Sequence, residues 1–171
     1  QDDKVGCLFK NGMPFVELYF AASLSGAVFV PINFRLVANE IEYIINQSDV
    51  KILFIEGEFF ERIRPIIHNL PKVKLIVAVD SPAPSTAIES ITYDSIYNTP
   101  VSFRSVDLSD DDAHAIIFTS GTTGKPKGAV LTHKNIYMNG MNKLYHSQWK
   151  KGVKQLVNAP LFHVAALSTL L

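Results

Sequence analysis

The chemistry in this 171-residue chain is concentrated in ten consecutive residues, Thr119-Ser120-Gly121-Thr122-Thr123-Gly124-Lys125-Pro126-Lys127-Gly128. The three glycines let the backbone take positive φ and come close to a ligand. Successive backbone N–H groups in such a loop can form an anion-binding concavity. Thr119, Ser120, Thr122 and Thr123 add hydroxyl donors suited to phosphate oxygens. Lys125 and Lys127 add point charges. A charge-assisted hydrogen bond contributes about 1.5–3 kcal/mol. Roughly three or four of them hold a polyphosphate at micromolar-to-millimolar affinity once association costs are included.

The spacing excludes two better-known loops. A Walker A loop needs G-x-x-x-x-G-K-[ST]. Here Gly121 and Gly124 are three apart, and Pro126 follows Lys125. A nucleophile elbow needs G-x-S-x-G and a downstream acid. Ser120 lacks those flanks, and no Asp or Glu follows Asp112. A bare surface loop is the remaining alternative.

Histidine supplies the second candidate. His163 closes the apolar stretch Asn158-Ala159-Pro160-Leu161-Phe162-His163, where a structural and a functional role are both open. His133 is placed to begin a helix. His68, His114 and His146 show no partner spacing, and no HExxH pair is present for zinc. Asp110-Asp111-Asp112 reads as a solvated acidic turn or a strand entry rather than a metal site, because three adjacent carboxylates cannot all face one ion. No metal ligand is assigned.

The elements that must position these residues alternate between short apolar runs and helical periodicity. Strands are expected at Val5–Phe9, Ala27–Pro31, Lys51–Ile55, Lys74–Val79, Ala113–Phe118, Ala129–Leu131 and Gln155–Asn158. A helix over Pro14–Ser25 places Phe15, Leu18, Tyr19 and Ala22 on one face. Asn39 with Glu42 resembles a capping box for the next helix, whose core face would be Val37, Ile41, Ile44 and Ile45. Further helices are expected over Glu58–Asn69, interrupted by Pro65, over Lys134–His146, and after His163. Pro82, Pro84, Ser85 and Thr86 mark an internal loop or linker spanning about 80–112. Strands alternating with helices predict an α/β fold, a mostly parallel sheet layered with helices.

Composition bounds the rest. Hydrophobic residues make up 47% of the chain, which excludes intrinsic disorder. Cys7 is the lone cysteine, so no intrachain disulfide can form. No apolar run reaches the roughly 20 residues of a membrane span. The chain opens without methionine and stops within Ala165–Leu171, an apolar run, so residues 1–171 are expected to be one domain's part, cut at both ends. The zero net charge hides an asymmetry. All 16 acidic residues lie at or before Asp112, against nine of the 16 basic ones, leaving that part −7 and the remainder +7. An anionic ligand for the basic part and simple attraction between the two parts both fit this.

The string TSGTTGKPKGAVLTH, Thr119 to His133, resembles the signature loop of the adenylate-forming superfamily. That superfamily includes acyl-CoA synthetases, aryl- and coumarate-CoA ligases, luciferase-like enzymes and peptide-synthetase adenylation domains. Phe15–Arg35, FVELYFAASLSGAVFVPINFR, is similar to its early helix–strand block, and NAPLFH, Asn158 to His163, to the acid-pocket segment of acyl-CoA synthetases. The resemblance implies one subdomain of the large N-terminal domain, about the first third of a member. It implies activation of a carboxylic acid by ATP through an acyl-adenylate, then thioester formation with coenzyme A, on fatty or similar acids in the cytoplasm. An aryl- or coumarate-type CoA ligase and an acyl-AMP ligase are alternatives within the class. A non-catalytic nucleotide-binding or interaction module is the alternative outside it.

The resemblance also assigns residues. Thr119, Ser120, Gly121, Thr122, Thr123 and Gly124 would give hydroxyl and backbone donors to the β- and γ-phosphates, with Lys125 and Lys127 giving charge. Phe162 and His163 would line the acid pocket. The family's magnesium ligand, ribose aspartate and adenylating lysine fall outside these residues, so the 171-residue chain is expected to be inactive alone. The expected partners are a small carboxylic acid and ATP, with no nucleic acid and no transmembrane segment. Apolar faces left uncovered would favour self-association.

Overall fold

The computed structural model of the chain describes residues 3–97, 99, 102, 106–119, 124–147 and 152–170. The strands are β1 (Lys4–Leu8), β2 (Val28–Pro31), β3 (Val50–Glu56), β4 (Leu75–Val79), β5 (Glu89–Thr92), β6 (Ala113–Thr119) and β7 (Lys127–Thr132). The helices are α1 (Met13–Ser25), α2 (Ala38–Gln47), α3 (Phe60–Ile63), α4 (Tyr93–Tyr97), α5 (His133–Ser147) and α6 (Val164–Leu167). The strands form one seven-stranded sheet in the order β5-β4-β3-β1-β2-β6-β7. All pairs are parallel except β6 with β7, which run antiparallel. The α/β reading, a mostly parallel sheet with helices, therefore holds.

Side-chain alternation explains why both faces need cover. On one face Val5, Cys7, Phe29, Phe54 and Val77 meet the α1 residues Phe15, Leu18, Tyr19 and Ala22. On the other, Leu8, Val30, Leu53, Ile55 and Ile76 meet Ile41, Ile44 and Ile45 of α2 and Ile63 of α3. A strand buried on both sides reads as a continuous apolar run, as β1 to β4 do. α1 joins neighbours β1 and β2, whereas α2 carries the chain back over β1 to β3. The two crossovers thus cover opposite faces of the sheet.

The structure corrects five expectations. Helix α2 begins two residues earlier than an Asn39 cap would place it. Its N-cap is Val37, whose N–H donates to the Glu40 carboxylate at 3.0 Å. Val has no side-chain acceptor, so Glu40 alone closes this end. Val37 lies outside the core face, at 62% exposure. The expected Glu58–Asn69 helix is three short pieces: a 3-10 turn over Gly57–Phe59, α3, and a 3-10 segment over Arg64–Asn69 with Pro65 in its first turn. Pro65 has no N–H for an α-helical bond, so the tighter turn takes over. No strand forms at 155–158. Val157 packs on the core and Leu156 is 87% exposed, so this alternation reflects one-sided burial without a ladder. The 80–112 interval, expected as loop, contains β5 and α4. β5 is short and polar because it is the sheet's edge.

Candidate functional site

Adjacent strands β2 and β6 send their chains in opposite directions, β2 toward β3 and β6 toward β7. Such a divergence opens a crevice at the carboxyl ends of parallel strands. A cleft of ≈ 400 Å³ lies there, between Pro31 and Asn33 after β2 and Ile117, Phe118 and Thr119 of β6. Gly124 and Pro126 from the far side of the glycine-rich loop line it, as do Phe162 and His163. Two sequence segments about 40 residues apart are therefore brought to one site. A second hollow of ≈ 330 Å³, at the ends of β3 and β4, is lined by Arg64, Ser81, Pro82 and Pro84 and holds none of the expected site residues.

The loop is the connection of the β6–β7 hairpin. Thr119 pairs with Lys127 and Phe118 with Gly128, so the loop leaves and re-enters the sheet over the cleft. Thr119 Oγ1 donates to the Lys127 carbonyl at 3.5 Å, a long bond. Ser120, Gly121, Thr122 and Thr123 lie outside the described residues. Gly124 has φ +108°, the region that favours glycine, and a Cβ there would meet open space. Lys125 Nζ stands 5.4 Å from the centre of the Tyr43 ring, a cation–π contact that parks the ammonium on α2. Lys127 is exposed at the start of β7. Among the described residues no carboxylate is within ion-pair reach of Lys125 or Lys127.

The other wall is built from aromatic rings and a turn. Phe162 presents its ring to Phe34 edge-to-face at 5.4 Å. Phe34 in turn stacks on Phe59 at 5.7 Å, and Arg62 stands over Phe59 while donating to the Phe34 carbonyl. Leu161 is buried in the α1-side core, so residues 161 and 162 face opposite ways. His163 caps α6: its Nδ1 accepts from the Ala165 N–H at 3.4 Å. An accepting Nδ1 assigns the neutral imidazole proton to Nε2. His163 is exposed beside the cleft. Its Nε2–H is left for a partner at the cleft.

Residue types and spacing did not point to Asn33, Glu40 or Tyr43. Asn33 and Glu40 line the cleft. Asn33 holds its own turn by accepting from Arg35 N–H at 2.9 Å. Asn33 lies within the recognised PINFR block, and its signal was drowned by the apolar residues around it. Among the described residues Glu40 is the one carboxylate lining the cleft, and it is committed to Val37 N–H. Among the described residues no group of three or more His, Cys, Asp or Glu could hold a metal ion.

His114 has no place in the cleft, and His133 begins α5 as expected. The β6–β7 register shifts between Ala113 and Ala115, and this bulge turns His114 toward α1. There its ring lies 5.0 Å from Tyr19 and 4.9 Å from His133. Tyr19 Oη, His114 Nδ1 and His133 Nε2 are buried without a hydrogen-bond partner among the described residues. Burial, helped by the neighbouring His133, brings the His114 pKa from 6.5 to about 4. Burial also pushes the Tyr19 phenol up to about 12.

A family model described as AMP-binding enzyme matches residues 1–171. The chain is 34% identical to a feruloyl-CoA synthase of Amycolatopsis sp, over 96% of this chain and 30% of that protein. It is 32% identical to a long-chain-fatty-acid–CoA ligase of Mycobacterium tuberculosis, over 99% of this chain and 32% of that protein. The chain spans about a third of the length of the curated relatives it matches. Among solved structures, the inhibitor-bound N-terminal domain of FACL13 from Mycobacterium tuberculosis superposes with TM-score 0.78 at 30% identity, over 99% of this chain and 41% of that one. A long-chain-fatty-acid–CoA ligase from Archaeoglobus fulgidus superposes with TM-score 0.87 at 24% identity, over 99% and 33%, which supports the fold alone.

Proposed function

The chain belongs to the AMP-binding enzyme family, and from that membership we propose that it supplies the pyrophosphate grip and part of the acid pocket of an ATP-dependent acid–thiol ligase. In the first step a carboxylate oxygen attacks the α-phosphorus of ATP, giving the acyl-adenylate and releasing pyrophosphate. In the second the coenzyme A thiol attacks the acyl carbon, loses its proton, and releases AMP. Negative charge builds on the pyrophosphate leaving group in the first step. Fixed donors beside that group lower the barrier. Thr119 to Gly124 would supply hydroxyl and backbone donors, and Lys125 and Lys127 the charge. Phe162 would wall the acid pocket, and His163 would present Nε2–H to the carboxylate or the nucleotide.

One observation carries this reading: a single cleft is lined by both flanks of the loop and by Phe162 and His163. Magnesium would be held by carboxylates outside these 171 residues, where it would offset charge on the phosphates. Fatty or similar acids are the preferred substrates. The feruloyl-CoA synthase likeness favours an aryl acid as the second reading. We place the reaction in the cytoplasm, in keeping with a lone cysteine that forms no intrachain disulfide. Outside the ligase, the uncovered apolar face of α5 would drive self-association.

The test is acid-dependent exchange of pyrophosphate into ATP by the whole ligase containing this chain. Exchange should appear with long-chain fatty acids, or with ferulate if the aryl reading holds, and thioester should require coenzyme A. No exchange with either acid class would overturn the proposal. The 171-residue chain alone should show none.

A further inference from the structure

We propose that Asn11 is a positioning residue for the acid pocket: its amide holds the Ala159–Leu161 backbone and so sets where Phe162 and His163 stand over the cleft. Asn11 Nδ2 donates to the Ala159 carbonyl at 2.9 Å, and Asn11 Oδ1 accepts from the Leu161 N–H at 2.8 Å. One planar amide thus meets a donor and an acceptor two residues apart, as a neighbouring strand would. It spans sequence separations of 148 and 150 residues.

The surroundings show why this clamp is needed. Residues 153–158 join no strand, so no ladder fixes the approach to Pro160. Pro160 has no N–H, and its carbonyl accepts from His163 N–H at 3.1 Å, forming the turn into α6. The clamp grips the chain immediately before that turn. Past it, the His163 carbonyl takes the Ala166 and Leu167 N–H groups at 3.0 and 2.9 Å. Leu161 is anchored in the core and Phe162 rests on Phe34. Asn11 lies just beyond the carboxyl end of β1, two residues after buried Phe9, and so transmits the position of the sheet's centre to His163. Side-chain anchors alone leave a turn free to pivot about them; the amide removes that freedom.

The functional half of this inference rests on the acid-activating reading, while its structural half does not. In the 171-residue chain, exchange of the Leu161 amide proton and the His163 imidazole resonances are followed by NMR in Asn11→Ala and Asn11→Asp. Asn11→Ala should speed Leu161 exchange at least tenfold and shift His163 toward its free-histidine position, leaving His68 unmoved. Asn11→Asp keeps the acceptor for Leu161 and lacks the donor for Ala159. It should leave Leu161 protected within about threefold while still shifting His163. In the whole ligase, Asn11→Ala should raise KM for the acid three- to tenfold, with kcat and KM for ATP within twofold.

Unchanged Leu161 exchange and unchanged His163 resonances in Asn11→Ala would overturn the proposal. So would a parallel rise in both KM values, the mark of a general structural loss. If Asn11→Ala does not fold, the Asn11→Asp pattern decides. If no acid is activated at all, the functional reading fails and the NMR comparison still decides the clamp.

Discussion

Gly124 bears the sharpest constraint in the described part of the loop. Its φ of +108° is a region that L side chains rarely adopt, yet a Cβ would clash with nothing. Gly124→Ala therefore acts through backbone strain of about 1–3 kcal/mol. The expected result is a native circular dichroism spectrum with KM for ATP raised roughly tenfold or more in the whole ligase, since about 1.4 kcal/mol is tenfold. An unchanged KM would show that the loop does not keep this conformation around the phosphates. The lysines differ from one another. Lys125 must leave the Tyr43 ring to reach a phosphate, and Lys127 has no such contact among the described residues. Tyr43→Leu should therefore change ATP affinity while leaving the Lys127→Ala effect intact, measured by titrating each variant with ATP.

His114 gives a prediction of the opposite kind, about stability alone. Its folded pKa of about 4 lies below its ordinary 6.5. Between those values the unfolded chain binds a proton that the folded chain refuses. Stability is therefore full above about pH 6.5 and falls as pH drops toward about 4. The whole loss is up to about 3 kcal/mol. Urea unfolding at pH 7 and pH 4.5 reads it, and His114→Leu should flatten most of the difference. A pH dependence unchanged by that variant would assign it to other groups.

At the scale of elements, the hairpin β6–β7 is the part of the site most sensitive to packing. A Cβ on Gly128 would lie 2.8 Å from Ile116 Cγ2 and 3.2 Å from Phe118 Cζ. Those side chains are held in the α2-side core, and overpacking costs about 1–3 kcal/mol. Gly128→Ala should lower the unfolding free energy by that amount, read as a lower urea midpoint, and loosen the mouth of the cleft, where Phe118 is a wall. A midpoint within experimental error of the parent would show that β7, an edge strand, simply shifts outward.

What the sequence made legible follows the same physical lines. Strands β1 to β4 and β6 were readable because a short apolar run between turns must be buried, and a covered sheet buries it; β7 was readable from its short Ala129–Leu131 run although it lies exposed at the sheet's edge. α1 was readable because Phe15, Leu18, Tyr19 and Ala22 repeat with helical spacing. The loop was readable by residue type, its chemistry being local. Contacts across many residues were not. Nothing in a single sequence joins Asn11 to Leu161, Tyr43 to Lys125, or Phe34 to Phe162. The Asn39–Glu42 pair matched a capping pattern, but Glu40 closed the helix from a position where Val37 offers no side-chain acceptor. β5 escaped because an edge strand buries little, and Ile91 alone signals its inner side. His114 escaped because a bulge broke the alternation that would have placed it on the other face.

For the whole molecule, the uneven cover of α5 sets the behaviour. Ile136, Gly140 and Lys143 are half-buried, with Lys143 donating to Ser168 Oγ at 2.9 Å. Beside that stripe run Tyr137, Met141, Leu144 and Tyr145, at 65%, 45%, 56% and 82% exposure. No residue of α5 is fully buried. A helix with a second apolar stripe facing water gains by finding a partner. Burial contributes about 25 cal/mol per Å², against association costs of about 4–15 kcal/mol, so a single stripe of this kind supports weak, concentration-dependent association. Sedimentation velocity on the 171-residue chain should show mass rising with concentration. Because apolar burial is the driving term, added salt should not disperse the dimer, whereas Met141→Lys with Leu144→Lys should. Those positions lie away from the cleft, so the double variant should keep the parent's unfolding free energy within about 0.5 kcal/mol, as surface substitutions do. A strictly monomeric parent chain at high concentration would remove the self-association proposal and leave the fold and the cleft untouched.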